Sequence, residues 1–430
     1  MSRKQKTMAN DKMTKTEGKR VLIVGGGFGG VVAALTLARK RLPNVKIVLV
    51  SEKPHFEYHA ALYRVVTGRS PFEVCVPLAD IFEGYEVEVV EDKIDNVELE
   101  KKQCWGVSGS RYQYDHLVLG LGSETVYYDT PGLLELAFGF KDINEALKLK
   151  RHLHEMMQSC SLRDNKGENV CQAHVVVVGG GASGTELSAE LVVYMEELSK
   201  KHRVDPSLVT VDLIQSPSRL LPDLPERLAE RVEKRIRSLG VNVYVNRRLV
   251  REEVEKVFMK DMEMRAKTVV WTAGVAAHHL YGQIKGLEVN DKGKVVVDKY
   301  LWARGQEDVY VVGDGAATEF SGMAQTAMKE GKLAAENIGR SVVGEEKKAY
   351  VPVRPAYSIP VGPGWAATLW HGLEFYGRMG WVLRRLADLR FFLTILPMTK
   401  ALAAFADGAR LSESCPVCTK MITEEVLAKH

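Results

Sequence analysis

One sequence pattern occurs twice in this chain, and the repetition limits the folds open to it. Residues 21–30 read VLIVGGGFGG and residues 175–184 read VVVVGGGASG. In both copies an apolar, β-branched run leads into the spacing G-x-G-x-x-G and then into a helical pattern. Such a strand, glycine turn and helix begin a βαβ unit whose helix N-terminus can hold a pyrophosphate. Two copies predict an α/β chain with two Rossmann-like dinucleotide-binding domains.

The first copy continues into a complete βαβ unit. A helix is predicted over residues 31–40 and a second strand over residues 45–50, and Glu52 follows 22 residues beyond Gly30. An acidic side chain at this distance typically binds the ribose hydroxyls of a dinucleotide. We therefore predict that Glu52 is the adenosine ribose ligand of this site.

The second copy has the same plan but ends in a different residue. A helix over residues 186–198 and a strand over residues 209–214 lead to the neutral side chain of Gln215, with Arg219 close behind. A carboxylate at this point would repel a ribose 2′-phosphate, whereas an amide beside a guanidinium tolerates one. The sequence therefore predicts NADH or NADPH at this copy.

Two dinucleotides in one protein indicate a redox enzyme. The usual reaction of such a pair is hydride transfer from a nicotinamide to a flavin, and the protein has to bring the two rings into contact. We expect FAD at the glycine turn that begins with Gly25 and an exchangeable NAD(P)H at the turn that begins with Gly179.

Three later segments suggest how the two domains are connected. Residues 114–123, 268–275 and 309–316 are apolar strand patterns that end at small residues, as expected where the backbone approaches a cofactor. Their order predicts that the second domain is inserted into the first. The predicted ranges are 1–19 for a disordered leader, 20–130 and 290–350 for the FAD-binding domain, 131–289 for the NAD(P)H-binding domain, and 351–430 for an α-rich C-terminal segment.

Composition and charge argue against several classes of function. The 430 residues are 46% apolar and 27% charged, with a formal net charge of +4. So small a charge gives no field suited to nucleic acid. No apolar run approaches the ~20 residues of a membrane-spanning helix, and the basic, polar N-terminal stretch does not resemble a secretory signal.

The six cysteines argue against a disulfide reductase. They show no disulfide framework, and the stretch from Gly30 to Val74, where such reductases carry a redox pair, contains no cysteine. Cys415 and Cys418 have the C-x-x-C spacing of half a zinc site or of a redox dithiol. An incidental pair of exposed thiols is the alternative.

Residues 375–393 predict an amphipathic helix. Its apolar stripe consists of Phe375, Met379, Val382, Leu383, Leu386, Leu389 and Leu393. The residues predicted to face away from the stripe are Arg378, Arg384, Arg385 and Asp388. Such a helix can lie in an anionic membrane interface. It can equally pack on the flavin domain or in a homodimer interface.

Further motifs carry a family resemblance. They are LGSET at residues 121–125 with PGL at 131–133, WTAGV at 271–275, VGD at 312–314 and AQTA at 324–327. In these motifs the chain resembles the type II NADH dehydrogenases, single-subunit flavin NADH:quinone oxidoreductases. The resemblance implies electron transfer from NAD(P)H through FAD to a quinone without ion pumping, and a C-terminal quinone and membrane segment at the cytoplasmic membrane face.

The resemblance also assigns site residues. It implies that Glu186 belongs to a proton network near the nicotinamide and that Gln325 belongs to the quinone site. The implied FAD ligands are Gly25, Gly27, Gly29, Gly30, Glu52, Gly122, Asp314 and Ala324. The implied NAD(P)H ligands are Gly179, Gly181, Gly184, Ala273 and Gly274. The residues themselves add Gln215 to the NAD(P)H site and Lys329 as a second candidate proton relay.

Two positions depart from the family pattern and leave alternatives open. Gln215 replaces the usual acid, and Lys329 stands where many members have a second glutamine. A soluble reductase of a ferredoxin or rubredoxin carrier is one alternative. A flavin-bearing interaction protein of the apoptosis-inducing-factor kind is another.

Overall fold

The computed structural model describes residues 18–164 and 173–411 of the chain. The first part forms β1 (Lys19–Val24), α1 (Phe28–Lys40), β2 (Val45–Ser51), β3 (His55–Glu57), α2 (Leu62–Val66), β4 (Cys75–Pro77), α3 (Leu78–Ile81), β5 (Val87–Glu91), β6 (Ile94–Glu98), β7 (Gln103–Gly106), β8 (Arg111–Gln113), β9 (His116–Leu119) and β10 (Ser123–Thr125).

The middle part forms α4 (Leu133–Leu136), β11 (Phe138–Gly139), α5 (Ile143–Asp164), β12 (Ala173–Val178), α6 (Ala182–His202), β13 (Val209–Ile214), α7 (Glu226–Ser238), β14 (Asn242–Tyr244), β15 (Leu249–Glu253), β16 (Lys256–Met259), β17 (Met262–Arg265), β18 (Thr268–Trp271), β19 (Val275–Ala277) and α8 (Leu280–Gln283). The last part forms β20 (Val309–Val311), α9 (Ala324–Val342), β21 (Tyr357–Pro360), β22 (Ala366–Trp370), β23 (Leu373–Phe375), α10 (Gly377–Ile395) and α11 (Met398–Asp407).

Two parallel sheets dominate the fold. The first has the strand order β5-β2-β1-β9-β20 and the second β14-β13-β12-β18-β11, and all neighbours in both are parallel. Strand β20 completes the first sheet although it follows the whole second sheet in sequence. The first sheet is therefore discontinuous in the chain, which confirms the predicted fold class of two Rossmann-like units with one inserted in the other.

Both glycine-turn helices begin earlier than the sequence predicts. Helix α1 begins at Phe28 and α6 at Ala182, because the last glycine of each motif lies inside the first turn of its helix. Glycine is a poor helix former, so the pattern conceals that turn. Helix α9 packs directly on the first turn of α1. A Cβ on Gly331 of α9 would lie 2.1 Å from the carbonyl oxygen of Gly29 in α1, so the two helices can come this close only with glycine at position 331.

The C-terminal part packs three antiparallel strands, β21 to β23, against α10. Four residues of the predicted apolar stripe are exposed on α10: Met379, Val382, Leu386 and Leu393 retain 46 to 60% of their accessible surface. Leu383 and Leu389 are half-buried, and Phe375 belongs to β23 and not to the helix. No helix in the described ranges is long and apolar enough to cross a membrane.

The opposite face of α10 corrects the sequence analysis. Arg384, Arg385 and Asp388 do lie away from the stripe, but this side is packed on protein and does not form a solvated basic face. Arg384 and Asp388 are buried, and their charges pair with each other at 3.0 Å. Helical periodicity separates two faces, but which face meets the core depends on what the neighbouring elements offer.

Two expectations fall partly or wholly outside the described residues. Cys415, Cys418 and most of the predicted leader lie there, although Lys19 of that range already belongs to β1. The expectation that the cysteines form no disulfide is wrong for Cys160, which is disulfide-bonded.

Candidate functional site

The first glycine turn forms an open cradle at the start of α1. Gly25 has a φ of +110°, and its amide donates to the Val50 carbonyl at 2.8 Å. A Cβ on Gly30 would lie 1.9 Å from the Gly25 carbonyl oxygen, so the helix can approach the strand this closely only with glycine there. A Cβ on Gly27, by contrast, would meet nothing within 4 Å. The open side at Gly27 faces away from the packed core and leaves room for a ligand.

The second glycine turn has nearly the same geometry. Gly179 has a φ of +117° and donates to the Ile214 carbonyl at 2.8 Å. A Cβ on Gly184 would again lie 1.9 Å from the Gly179 oxygen, and Gly181 again borders open space. Two loops of this shape at two helix N-termini can each hold a pyrophosphate.

The loop after β18 lies against the second turn. A Cβ on Gly179 would lie 2.8 Å from the backbone of Ala273, and the Thr272 hydroxyl donates to the Gly179 carbonyl at 3.1 Å. Gly274 itself packs against the carbonyl of Val126. The structure thus places Thr272 and Ala273 beside the second turn, with Gly274 next along the chain, and the binding of a nicotinamide nucleotide by Ala273 and Gly274 stays a prediction.

Strand register shows which residues correspond at the ends of β2 and β13. Val24 pairs with Val50 in the first sheet, and the equivalent Val178 pairs with Ile214 in the second. Gln215 therefore corresponds to Ser51, and the residue that corresponds to Glu52 is Ser216. The sequence-based match of Gln215 with the position of the acid is therefore off by one residue.

The Gln215 side chain is occupied within the protein. It is buried, its Oε1 accepts the Gly180 amide at 2.7 Å, and its Nε2 donates to the Arg219 carbonyl at 3.4 Å. Gln215 therefore braces the glycine turn, whereas the exposed Ser216 has the position that corresponds to Glu52.

The Arg219 side chain also makes its hydrogen bonds within the protein. Its guanidinium donates to the backbone carbonyls of Leu221 at 2.9 Å, Pro222 at 2.5 Å and Leu224 at 3.0 Å. These bonds close the loop that follows β13 and use the donors that a phosphate would need. In this structure the guanidinium of Arg219 therefore serves the loop, and its tolerance of a 2′-phosphate stays a prediction.

Asp314 lies in front of the first turn, with polar partners from the rest of the chain. Its carboxylate accepts the Ser123 hydroxyl at 2.5 Å, and the Lys141 ammonium lies 3.9 Å away and donates to Ser123 at 2.8 Å. Gly122, with a φ of +74°, sets the turn that directs Ser123 toward Asp314. Glu52 is exposed beside this region and pairs with Lys93 at 3.2 Å.

Sequence reasoning missed a buried carboxylate beneath Asp314. Glu330 on α9 accepts the Gly313 amide at 2.6 Å and the Thr318 hydroxyl at 2.5 Å, and burial raises its pKa to about 7. A glutamate one position after Lys329 carries no motif signal, and only the fold shows that it supports the Gly313 turn.

A second missed group lies after β2. The Lys53 ammonium contacts Glu57 at 2.6 Å and Asp142 at 2.9 Å, and His55 and His59 both reach Glu57, at 3.3 and 3.2 Å. These partners hold the pKa of the Glu57 carboxyl below its usual range, the His55 hydrogen bond being the largest favourable cause. The cluster fixes the loop between β2 and α2.

Helix α9 begins at Ala324, and its predicted acceptor residues are only partly free. The Gln325 amide donates to the Ala356 carbonyl at 2.9 Å and accepts the Ala356 amide at 3.2 Å. It thereby joins α9 to the C-terminal segment. Lys329 is exposed one turn later.

Glu186 lies on α6 next to a buried cluster of charges. Asp388 accepts hydrogen bonds from Tyr58 at 2.7 Å, Arg384 at 3.0 Å and Arg64 at 3.1 Å. Burial raises the pKa of Glu186 to about 7, and the guanidinium groups of Arg384 and Arg64 oppose this rise. Glu186 can therefore gain or lose a proton near neutral pH.

The two cradles fit FAD and a nicotinamide dinucleotide. Each cradle has a helix N-terminus and a first and a last glycine that pack too closely for a side chain at the last position. Between these two lies a glycine that borders open space. In addition, the buried hydroxyls of Thr185 on α6 and Thr326 on α9 have no hydrogen-bond partner among the described residues. Orphaned hydroxyls of this kind are expected where a polar ligand completes the site.

Comparisons with known proteins agree with this reading. The chain is 29% identical to a type II NADH:quinone oxidoreductase of Haemophilus influenzae, over 74% of this chain and 80% of that protein. It is 26% identical to one from Mycobacterium tuberculosis, over 87% of this chain and 84% of that protein. Both relatives bear the family name that the motifs predicted.

Solved structures show the same fold. The NDH2 protein of Plasmodium falciparum, solved in complex with NADH, matches with a TM-score of 0.80 at 16% identity, over 91% of this chain and 97% of that one. The family model described as pyridine nucleotide-disulphide oxidoreductase matches residues 19–331. Since this span is most of the chain and includes both glycine turns, the chain belongs to the pyridine nucleotide-disulphide oxidoreductase family.

Proposed function

We propose that this protein is a type II NADH:quinone oxidoreductase, an enzyme that passes electrons from NADH or NADPH through FAD to a quinone without ion pumping. The observation that carries the proposal is the pair of matching glycine cradles, one in each parallel sheet. Bound FAD supplies hydride acceptance from the nicotinamide and two-electron delivery to the quinone. The protein's part is to hold both dinucleotides with their rings in contact.

The cradle residues have distinct roles in this proposal. Gly25, Gly27, Gly29 and Gly30 hold the FAD pyrophosphate at the start of α1, with Glu52 at its ribose and Gly122, Asp314 and Ala324 along the rest of the cofactor. Gly179, Gly181, Gly184, Ala273 and Gly274 hold NAD(P)H, and Gln215 supports that turn through Gly180. The corresponding domains are residues 20–130 with 290–350, and residues 131–289.

Proton supply is assigned to Glu186. Its burial and its pKa of about 7 suit a group that holds a proton in the resting enzyme and releases it when a reduced acceptor needs one. Gln325 and Lys329 lie one helical turn apart at the start of α9 and form the acceptor side of the site. The bond between Gln325 and Ala356 makes this side depend on the C-terminal segment.

The exposed stripe of α10 supports attachment to a membrane. Met379, Val382, Leu386 and Leu393 form an outward apolar row, while the arginines of the opposite face are used inside the protein. An apolar face of this kind can enter the bilayer interface, where a lipophilic quinone is found. We propose peripheral attachment through residues 375–393 at the cytoplasmic membrane face. A second copy of the chain is the other occupant to be tested.

Turnover with different electron acceptors tests the proposal. The purified yellow protein should oxidise NADH or NADPH rapidly with short-chain quinones. Fast turnover only with an acidic iron-sulfur carrier would identify a carrier reductase instead, and very slow turnover with every acceptor would identify an interaction protein.

The membrane role is tested separately. Leu386→Glu should reduce co-sedimentation with anionic liposomes, whereas Leu134→Glu, at an exposed leucine of the short helix α4, should not. Equal binding by both variants would contradict attachment through α10. A concentration-dependent change of mass that Leu386→Glu abolishes would instead indicate a homodimer.

A further inference from the structure

A cluster of metal-ligand side chains lies next to the first cradle but includes none of its proposed FAD ligands. Glu124 belongs to β10, and His278 and His279 directly follow β19. One ligand atom from each of the three residues lies within 4.8 Å of the others. These two strands pair with each other, with Glu124 opposite Ala276, and they carry the chain into and out of the second sheet.

The local geometry points all three side chains to one place. The rings of His278 and His279 are stacked, with centroids 4.5 Å apart and planes inclined by 25°, although consecutive residues of an extended chain point to opposite sides. His279 Nδ1 lies 3.0 Å from the Glu124 carboxylate, which also accepts the His279 amide at 2.9 Å. The carboxylate is thus held in place by the backbone as well as by the ring.

From this arrangement we propose that Glu124, His278 and His279 form a site for a divalent transition-metal ion of the Zn²⁺ class. Two imidazoles and one carboxylate are a familiar ligand set for this ion, and a water can take the fourth position because His279 and Glu124 reach solvent. Ligand atoms of tetrahedral zinc are about 3.4 Å apart. The 3.0 Å between His279 Nδ1 and Glu124 is close to this spacing, and the other separations, at most 4.8 Å, have to shorten to reach it.

The atoms around His278 define the contacts that compete with a metal ion. The Nδ1 atom of His278 accepts the Leu280 amide at 3.2 Å, so a metal ion that binds this nitrogen must displace that hydrogen bond. Lys93 and Glu52 also face His278, but they pair with each other at 3.2 Å and offset each other's charge.

A bound ion would connect the two chain crossings between the sheets. His278 donates its backbone amide to the carbonyl of Gly122 at 3.2 Å, so the site adjoins the turn that precedes Ser123 and Asp314. Metal binding therefore ties β10 to β19 near the FAD cradle, and the folded protein gains stability because the ion binds only when these segments are together.

The experiment uses the full-length, FAD-loaded protein and Zn²⁺ in calorimetric titrations. Cys415→Ser and Cys418→Ser are introduced first, so that the C-x-x-C pair cannot supply the ligands. In this background we expect one Zn²⁺ per chain and a raised melting temperature. His279→Ala and Glu124→Gln should each weaken binding more than tenfold, while His371→Ala, at an exposed histidine elsewhere, should leave it unchanged.

A second measurement identifies the ligands. Co²⁺ bound at the site should add weak visible absorption without thiolate charge-transfer bands, measured as a difference spectrum against the same FAD-loaded protein without Co²⁺. The flavin spectrum of each variant confirms that it is folded. Loss of all Zn²⁺ binding in the double cysteine variant, or unchanged affinity in both His279→Ala and Glu124→Gln, would overturn the proposal.

Discussion

The two glycine turns have nearly the same backbone but different surroundings. Each has its first glycine at a positive φ, bonded to the neighbouring strand at 2.8 Å, and its last glycine packed against the first. After the second strand, Ser51 and Glu52 of the first unit correspond to Gln215 and Ser216 of the second. On the helix, Val32 of the first unit corresponds to Glu186 of the second.

The difference shows how one scaffold serves two purposes. The first turn lies beside an exposed acid and the bonded pair of Ser123 and Asp314, which suit a cofactor that stays bound. The second turn has a helix with a buried, titratable glutamate where the first has a valine. In the proposed assignment, the resident flavin needs a rigid cradle, whereas the nicotinamide site also needs proton chemistry nearby.

The largest effect is expected at the first turn. In Gly30→Ala the new methyl would meet the Gly25 carbonyl at 1.9 Å, which must displace the turn. We expect the purified protein to lose more than about 90% of its FAD and of its activity. Flavin absorbance per chain measures this. Gly282→Ala, at an exposed position with nothing within 4 Å, is the control and should stay yellow.

The equivalent change in the second turn should separate the two sites. Gly184→Ala meets the Gly179 carbonyl at the same 1.9 Å, but it should keep its FAD while kcat/KM for NADH falls about 100-fold. Rapid-mixing reduction of the bound flavin gives the measurement. Loss of FAD from Gly184→Ala would show that the two cradles are not independent.

Glu186→Gln should slow turnover by about 10- to 100-fold if its proton reaches the acceptor. The wild-type rate should fall as pH rises through about 7, while the variant stays flat. Folding raises the pKa of Glu186 from 4.5 to about 7. The wild type should therefore lose unfolding free energy, relative to the variant, as the pH rises from about 4.5 to about 7. Glu197→Gln, exposed on the same helix, should change neither property.

Ser216→Glu would give the second unit the acid that the first unit has. We expect its KM for NADPH to rise about tenfold, because the carboxylate repels a 2′-phosphate, while its KM for NADH changes little. Steady-state kinetics with both coenzymes measure the ratio. Ser218→Glu, exposed two residues later, is the matched control, and an unchanged NADPH KM in Ser216→Glu would contradict the register assignment.

The smallest effect on coenzyme choice is expected for Arg219→Ala. Since its guanidinium binds backbone carbonyls, the ratio of NADPH to NADH efficiency should change less than about twofold, with a stability loss of about 1–3 kcal/mol. Thermal unfolding and the two KM values check this. A selective loss of NADPH affinity would show that Arg219 leaves its carbonyls to meet the phosphate.

Much of the fold could be predicted from the sequence because its signals are local. The β-branched runs before Gly25 and Gly179 and the glycine spacing specify strand, turn and helix within about ten residues. The helix over residues 375–393 followed from periodicity in the same way. By contrast, periodicity could not decide that Arg384 and Asp388 face the core, because the pairing partners Tyr58 and Arg64 are over 300 residues away in sequence.

The sequence by itself determined that the chain holds two dinucleotide cradles, since glycine at these spacings is required by backbone sterics alone. Only the tertiary structure decided what each cradle meets: Ser216 and not Gln215 at the position that corresponds to Glu52, Glu330 beneath the Gly313 turn, and Glu186 beside a buried ion cluster. Strand register, burial and charge pairing depend on contacts between distant segments, and these exist only once the chain has folded.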